Sequence, residues 1–198
     1  MTVSDSKKLF HEQFPYVIPG LYKKIVDEIL VELNLLSHQN EFTQDYIFCF
    51  GLTETFKELM NGYKPEEHLD LLFESLCSST NFDAKVIREI SKNTQEEFKD
   101  KSSKALLELL VKKNNTTLYP SRILNLGIYI LISKSQDFKD VNESKSNKII
   151  TDTFEKLNLS INKAEKDIGI YKSSISKMQQ AKELIEELRI KDKKKNKE

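Results

Sequence analysis

Two clusters of carboxylates in this chain have residue types and a spacing that could do chemistry. In the first, Glu66-Glu67-His68-Leu69-Asp70 brings three acids and an imidazole within five positions. Such a set could ligate a divalent metal or pair a general acid with a general base. In the second, Glu28 and Glu32 stand one helical turn apart. Carboxylates so arranged hold paired metals in the cores of some helical bundles. A thiol nucleophile is the third possibility, with Cys49 and Cys77 as its candidates.

The spacing argues against each. Pro65 suits the first position of a helix, because the N–H it lacks would have no partner there. Glu66 and Glu67 then fall in the first turn, where exposed N–H groups and the dipole favour acids by about 0.3–1 kcal/mol each. His68 projects about 100° around the helix from Glu67. Glu66 and Asp70 share a face but have no third ligand, so this segment reads as the start of a helix. Bundle metal sites need Glu-x-x-His on further helices, and His11, His38 and His68 all lack a glutamate three positions earlier. Lys, Arg or Tyr partners are therefore expected for Glu28 and Glu32. The chain has no C-x-x-C, no G-x-S-x-G and no glycine-rich phosphate loop. Neither cysteine has an implied histidine or cationic neighbour. The expectation is a protein with no catalytic residue, no metal and no cofactor. A metal-dependent bundle enzyme on Glu28 and Glu32 is the least favoured alternative.

The elements that carry these residues are helical. Only five Gly and four Pro leave little turn material for many short strands, and 31% charged residues suit helices with broad solvated faces. Ser4-Asp5-Ser6 predicts caps for a helix over 7–14, which Pro15 ends. Ile18, Leu21, Tyr22, Ile25, Val26, Ile29, Leu33 and Leu36 recur at three- and four-residue steps, a long amphipathic helix entered through Pro19. Further helices are predicted over 44–60 (closed by Asn61-Gly62), 65–77, 84–98 (capped by Asn81-Phe82-Asp83) and 102–113. Residues 114–117 read as a loop. Ser121 caps an apolar helix over 122–133, in which Gly127 would admit a close neighbour. Phe10, Phe14, Tyr16, Tyr22, Phe42, Phe48, Phe50 and Phe56 are core residues by their spacing.

Residues 133–148 are polar apart from Phe138 and Val141, and read as the edge of a globular part. Beyond them the pattern becomes heptad, with Ile161, Ile168, Ile175 and Lys182 at a and Leu157, Ala164, Tyr171, Met178 and Ile185 at d. Ala181, Leu184 and Leu188 indicate a change of phase near its end. The fold class is thus all-α: a bundle of six to seven helices (residues 1–135), a polar linker (136–147), a long coiled-coil-forming helix (148–190) and a disordered basic tail (191–198). At 1.5 Å per residue the long helix spans about 60 Å, and its seam must be buried on its own bundle, on a second copy or on a client.

The net charge is zero, but residues 1–100 carry 10 basic and 18 acidic side chains (−8) and residues 101–198 carry 21 and 13 (+8). Such a split can guide head-to-tail contacts or bring the basic half to an anionic membrane. The basic stripe that nucleic-acid binding needs is approached only by the tail. The N-terminus has no apolar signal core and no Arg-rich transit character. The most apolar window, 123–132, is half a membrane span.

Three stretches also carry a resemblance: S-D-S-K-K-L-F-H (4–11), F-P-Y-V-I-P-G-L-Y-K-K-I-V-D-E-I-L-V-E-L-N-L-L-S (14–37) and F-K-E-L-M-N-G-Y-K-P-E-E-H-L-D-L-L-F-E-S-L-C (56–77), with a weaker fourth in S-R-I-L-N-L-G-I-Y (121–129). They are similar to the thylakoid formation protein family of cyanobacteria and plastids, also counted among photosystem II biogenesis factors. Gly20, Gln44-Asp45-Tyr46 and Tyr119-Pro120 depart from its usual pattern. The resemblance implies a helical, non-enzymatic adaptor on the cytoplasmic side of the cyanobacterial thylakoid, peripheral and with a soluble pool. Its implied partners are membrane-anchored FtsH proteases and the photosystem II assembly and repair machinery. Peripheral contact with anionic thylakoid lipids through the tail is a further expectation. The rival reading is a structural coiled-coil oligomeriser or membrane-shaping protein without a protease client.

Overall fold

In the computed structural model, residues 1–113, 118–138 and 141–195 are described, with side chains as far as Glu187. The described residues are all-helical, in the order α1 (Val3–Gln13), α2 (Gly20–Ser37), α3 (Tyr46–Leu59), α4 (Leu69–Ser78), α5 (Ala84–Phe98), α6 (Ser103–Lys113), α7 (Arg122–Ser133), α8 (Glu143–Lys156) and α9 (Ile161–Lys195). The predicted loop over 114–117 lies outside them.

Local side-chain chemistry sets most of the starts. Asp45 accepts from the Phe48 N–H (2.8 Å), Asp83 from Lys85 (2.8 Å) and Val86 (3.2 Å), Ser121 from Leu124 (3.0 Å) and Asn142 from Lys145 (3.0 Å). Each satisfies N–H groups that a helix start leaves without partners. The first helix begins earlier than predicted: Thr2 and Asp5 form a reciprocal capping box, so α1 starts at Val3.

Helix α3 is the shared wall between two apolar cores. On one side Phe10, Phe14, Tyr22, Leu30, Leu33, Phe48, Met60, Leu72 and Leu76 draw α1, α2, α4 and α5 together. On the other, Ile47, Phe50, Leu110, Leu124, Ile128, Phe154, Ile168 and Tyr171 bind α6, α7, α8 and α9. The α3–α7 crossing is held close by paired glycines. A Cβ on Gly51 would lie 2.5 Å from the Ile123 carbonyl oxygen, and one on Gly127 would lie 2.6 Å from that of Ile47. The expectation for Gly127 holds, and its counterpart is Gly51.

The C-terminal part differs from the sequence expectation in three ways. Helix α8 begins inside the segment read as a linker, capped by Asn142, and Phe138 packs partly buried against the second core. The helix expected over 148–190 is two helices. Asn158 turns left-handed (φ 55°), and the Leu159 N–H donates to the Phe154 carbonyl at 2.9 Å, which ends α8. Ser160 then accepts from the Lys163 N–H at 3.4 Å at the start of α9. The heptad seam turns inward: Leu157, Ala164, Ile168, Tyr171 and Met178 are all buried within the fold, and Ile161 and Ile175 pack partly buried against the second core. Helix α9 continues to Lys195, five residues into the stretch expected to be disordered; residues 196–198 lie outside the described ones.

Candidate functional site

The Glu66–Asp70 cluster is a turn held by its own neighbours. Pro65 sits one position before the helix, with extended backbone (ψ 144°), instead of at its first residue. Glu66–His68 form one tight 3₁₀ turn, closed by the His68 N–H on the Pro65 carbonyl at 3.2 Å, and α4 begins only at Leu69. The tight turn sets the His68 ring flat on Tyr16, with centroids 3.8 Å apart, and edge-on to Phe14. Glu66 pairs with Lys64, whose hydrogen bond holds its carboxyl below the ordinary glutamate range. Asp70 is taken by Arg88 Nη2 at 2.9 Å, while Arg88 Nη1 reaches Glu74 at 3.2 Å and its guanidinium lies over the Phe73 ring. Tyr16 is thus the one expected core aromatic that lies largely at the surface, against His68.

Glu28 and Glu32 do converge, on the start of α7. Glu32 accepts the Ile123 N–H at 2.9 Å, and Glu28 accepts from Arg122 Nη1 at 3.2 Å. Ile123 is in the first turn of α7, behind its Ser121 cap, so Glu32 acts as a second cap supplied by α2 from across the bundle. Burial pushes the Glu32 carboxyl above the usual value, opposed by that N–H and by the Arg122 charge. The cationic partner expected for Glu28 is Arg122; for Glu32 a backbone N–H takes that place.

The thiols lie deep in the first core. Cys49 and Cys77 are both completely buried, and burial pushes each up to about 12, so neither is a thiolate at neutral pH. His38 hydrogen-bonds the Asn34 carbonyl (2.7 Å) and the Met1 amine (3.3 Å). His11 packs edge-on to Phe10. Among the described residues, no three His, Cys, Asp or Glu side chains are grouped to hold a metal.

Three polar contacts, one buried and two half-buried, escaped the sequence reading. Asn125 donates to Asp167 at 2.8 Å, tying α7 to α9. Glu54 pairs with Lys134, and the Tyr171 hydroxyl donates to Glu58. The acids Glu54 and Glu58 stand at i, i+4 on α3 with apolar neighbours, the same signal that singled out Glu28 and Glu32.

An open trough runs between α2 and α9, with Glu28 on its edge. Leu21, Lys24 and Ile25 form one wall and Lys166, Ile170, Ser173 and Lys177 the other. Around α2, Glu28 and Glu32 with Arg122 line a more open groove whose surface is mostly apolar, at Val31 and Leu35. Such an open surface offers apolar area edged by charges of both signs, Lys24, Lys166 and Lys177 with Glu28 and Glu165, which suits docking better than bond-making.

The sequence matches the family described as Thylakoid formation protein over residues 2–198. It is 79% identical over 195 residues to Protein Thf1 of Prochlorococcus marinus (strain MIT 9312), covering 98% of this chain and 97% of that one. Against Protein Thf1 of Prochlorococcus marinus subsp. pastoris (strain CCMP1986 / NIES-2087 / MED4) the identity is 70% over 197 residues, covering 100% and 98%. The fold matches a solved structure of Psb29 with a TM-score of 0.85 over the full length of both chains, at 23% identity.

Proposed function

Because the chain belongs to the thylakoid formation protein family, we propose that it is a non-enzymatic adaptor in thylakoid biogenesis and in photosystem II assembly and repair, acting with FtsH proteases. The observation that carries this reading is the family match along residues 2–198, reinforced by relatives 70–79% identical over nearly their whole length. The candidate groups support it by what they do. Glu32 caps α7, Glu28 holds Arg122, Asp70 holds Arg88, His68 stacks on Tyr16, and both thiols sit in the core. Among the described residues no helix is long and apolar enough to cross a membrane; in this reading the chain attaches peripherally at the cytoplasmic face of the thylakoid. The basic residues near the C-terminus add a salt-sensitive attraction to anionic lipids.

The test is affinity isolation of the tagged chain from cyanobacterial thylakoids with immunodetection of FtsH, alongside photosystem II recovery after strong light in a strain lacking the gene. Co-isolation of FtsH with slowed recovery is the expected result. No FtsH in the eluate, with FtsH abundance and recovery unchanged in the deletion strain, would overturn the reading. A chain ending at Lys182 is the suitable truncation, because the part of α9 up to Met178 belongs to the core.

A further inference from the structure

The inward face of α9 is used within the fold, while a second stripe along its flank is only partly covered, with Ser174 and Ala181 half-buried. Ile170, Ser174, Lys177, Ala181 and Leu184 follow one another at steps of four, three, four and three, the spacing of a coiled-coil seam. Ile170 is 42% exposed and Leu184 58%, with Ile185 beside it at 44%. Around Gly169, nothing lies within 4 Å of the place a Cβ would occupy. The proximal part of the stripe forms one wall of the α2–α9 trough. Its distal part begins where Lys182 lies against Gly62, and residues 183–187 beyond that point are all exposed. The two ends differ in charge. On the α9 wall of the trough Lys166 and Lys177 outnumber the acid Glu165, and neither these lysines nor Glu187 on the distal end has an ion-pair partner among the described residues.

We propose that this stripe is a self-association surface: two copies pair α9 against α9 in antiparallel fashion, each distal end lying in the other's trough. Taking Lys177 as the centre sets Ile170 opposite the second copy's Leu184, and Ser174 within one residue of its Ala181. The large side chains then meet each other and the small ones let the helices approach. The same register brings Lys166 beside the second copy's Glu187, so the trough's unpaired cation meets the distal end's unpaired acid twice in one symmetric interface. Parallel pairing would instead set Lys166 on Lys166 and Glu187 on Glu187. Lys177 meets its own copy at the centre. Its stem covers apolar surface while the ammonium reaches water, and a single polar seam residue fixes register at a cost in affinity. About fifteen residues a side make a small interface, so association falls in the micromolar range.

Sedimentation velocity on the full-length chain from about 1 to 200 µM tests this, with circular dichroism confirming that each variant keeps its helices. A reversible dimer is expected, weakened at least about tenfold by Leu184→Glu. Lys166→Glu and Glu187→Lys should each weaken it, and together restore it. Cross-linking fixes the geometry: Lys177→Cys should oxidise to a covalent dimer. Ile170→Cys should not, because antiparallel pairing holds its two copies about 20 Å apart. A chain that stays monomeric at 200 µM, a dimer indifferent to Leu184→Glu, or a dimer cross-linked through Ile170→Cys would each overturn the proposal.

Discussion

A carboxylate brought out of water to meet a backbone N–H serves the fold only if the hydrogen bond outweighs the lost hydration. At Glu32 burial prevails: it raises the carboxyl, and the Ile123 N–H and Arg122 draw it only part of the way back. Because the folded state holds this proton more tightly than the unfolded one, the group contributes most to stability below the free-glutamate value of 4.5. That contribution is lost as pH rises from there through the raised folded value. Glu32→Gln keeps an acceptor for Ile123 without the buried charge. It is expected to leave the thermal midpoint at pH 7 unchanged or raised, and to flatten its pH dependence above 4.5. Glu32→Ala removes the cap and is expected to cost about 1–2 kcal/mol in urea unfolding. The buried thiols give a second outcome at this scale. With Cys49 and Cys77 pushed up to about 12, an aromatic disulfide reagent at pH 8 should leave the folded chain unlabelled and titrate two thiols in denaturant.

At the scale of elements, α9 determines what the bundle is. Its seam residues Ala164, Ile168 and Tyr171 fill the second core beside Leu124, Ile128 and Phe154, so the helix is part of the fold up to Met178. Ile168→Ala is expected to cost about 2–4 kcal/mol. A chain ending at Ser160 should lose its cooperative thermal transition, while one ending at Lys182 should keep the midpoint of the intact protein. Much of this architecture was legible in sequence. The caps Asp83 and Ser121 and the 3.6-residue periodicity of α2, α3 and α5–α7 placed those helices to within two residues. The heptad concealed the α8–α9 break, because Leu157 and Ile161 keep the apolar spacing across it. The signals were present in Asn158, suited to a left-handed helix end, and Ser160, suited to a cap. Spacing likewise reveals that a seam exists but not which surface covers it, so an arm and a docked helix read alike. For Glu28 and Glu32, sequence put both acids at the edge of a buried face. Their real partner, the start of α7, lies about ninety residues away, beyond any local pattern.

Across the whole molecule, the opposed charges of the two halves are partly spent inside the fold. Glu28 with Arg122, Glu54 with Lys134 and Glu97 with Lys113 each join an acid of the first half to a base of the second. Fewer unpaired charges are thus left for a membrane or a neighbouring copy than the −8 and +8 totals imply. Glu54 with Lys134 is the most consequential of these pairs, because the Glu54 side chain is only 6% exposed and its partner 44%. Removing the cation alone strands a buried carboxylate, whereas removing both charges does not. Lys134→Met, which keeps an apolar stem near the Phe50 ring, is therefore expected to cost about 1–3 kcal/mol. Adding Glu54→Gln to that variant should recover most of the loss in urea unfolding. A double variant no more stable than Lys134→Met alone would show that the cost comes from packing at Phe50, and that charge pairing between the halves contributes little to holding them together.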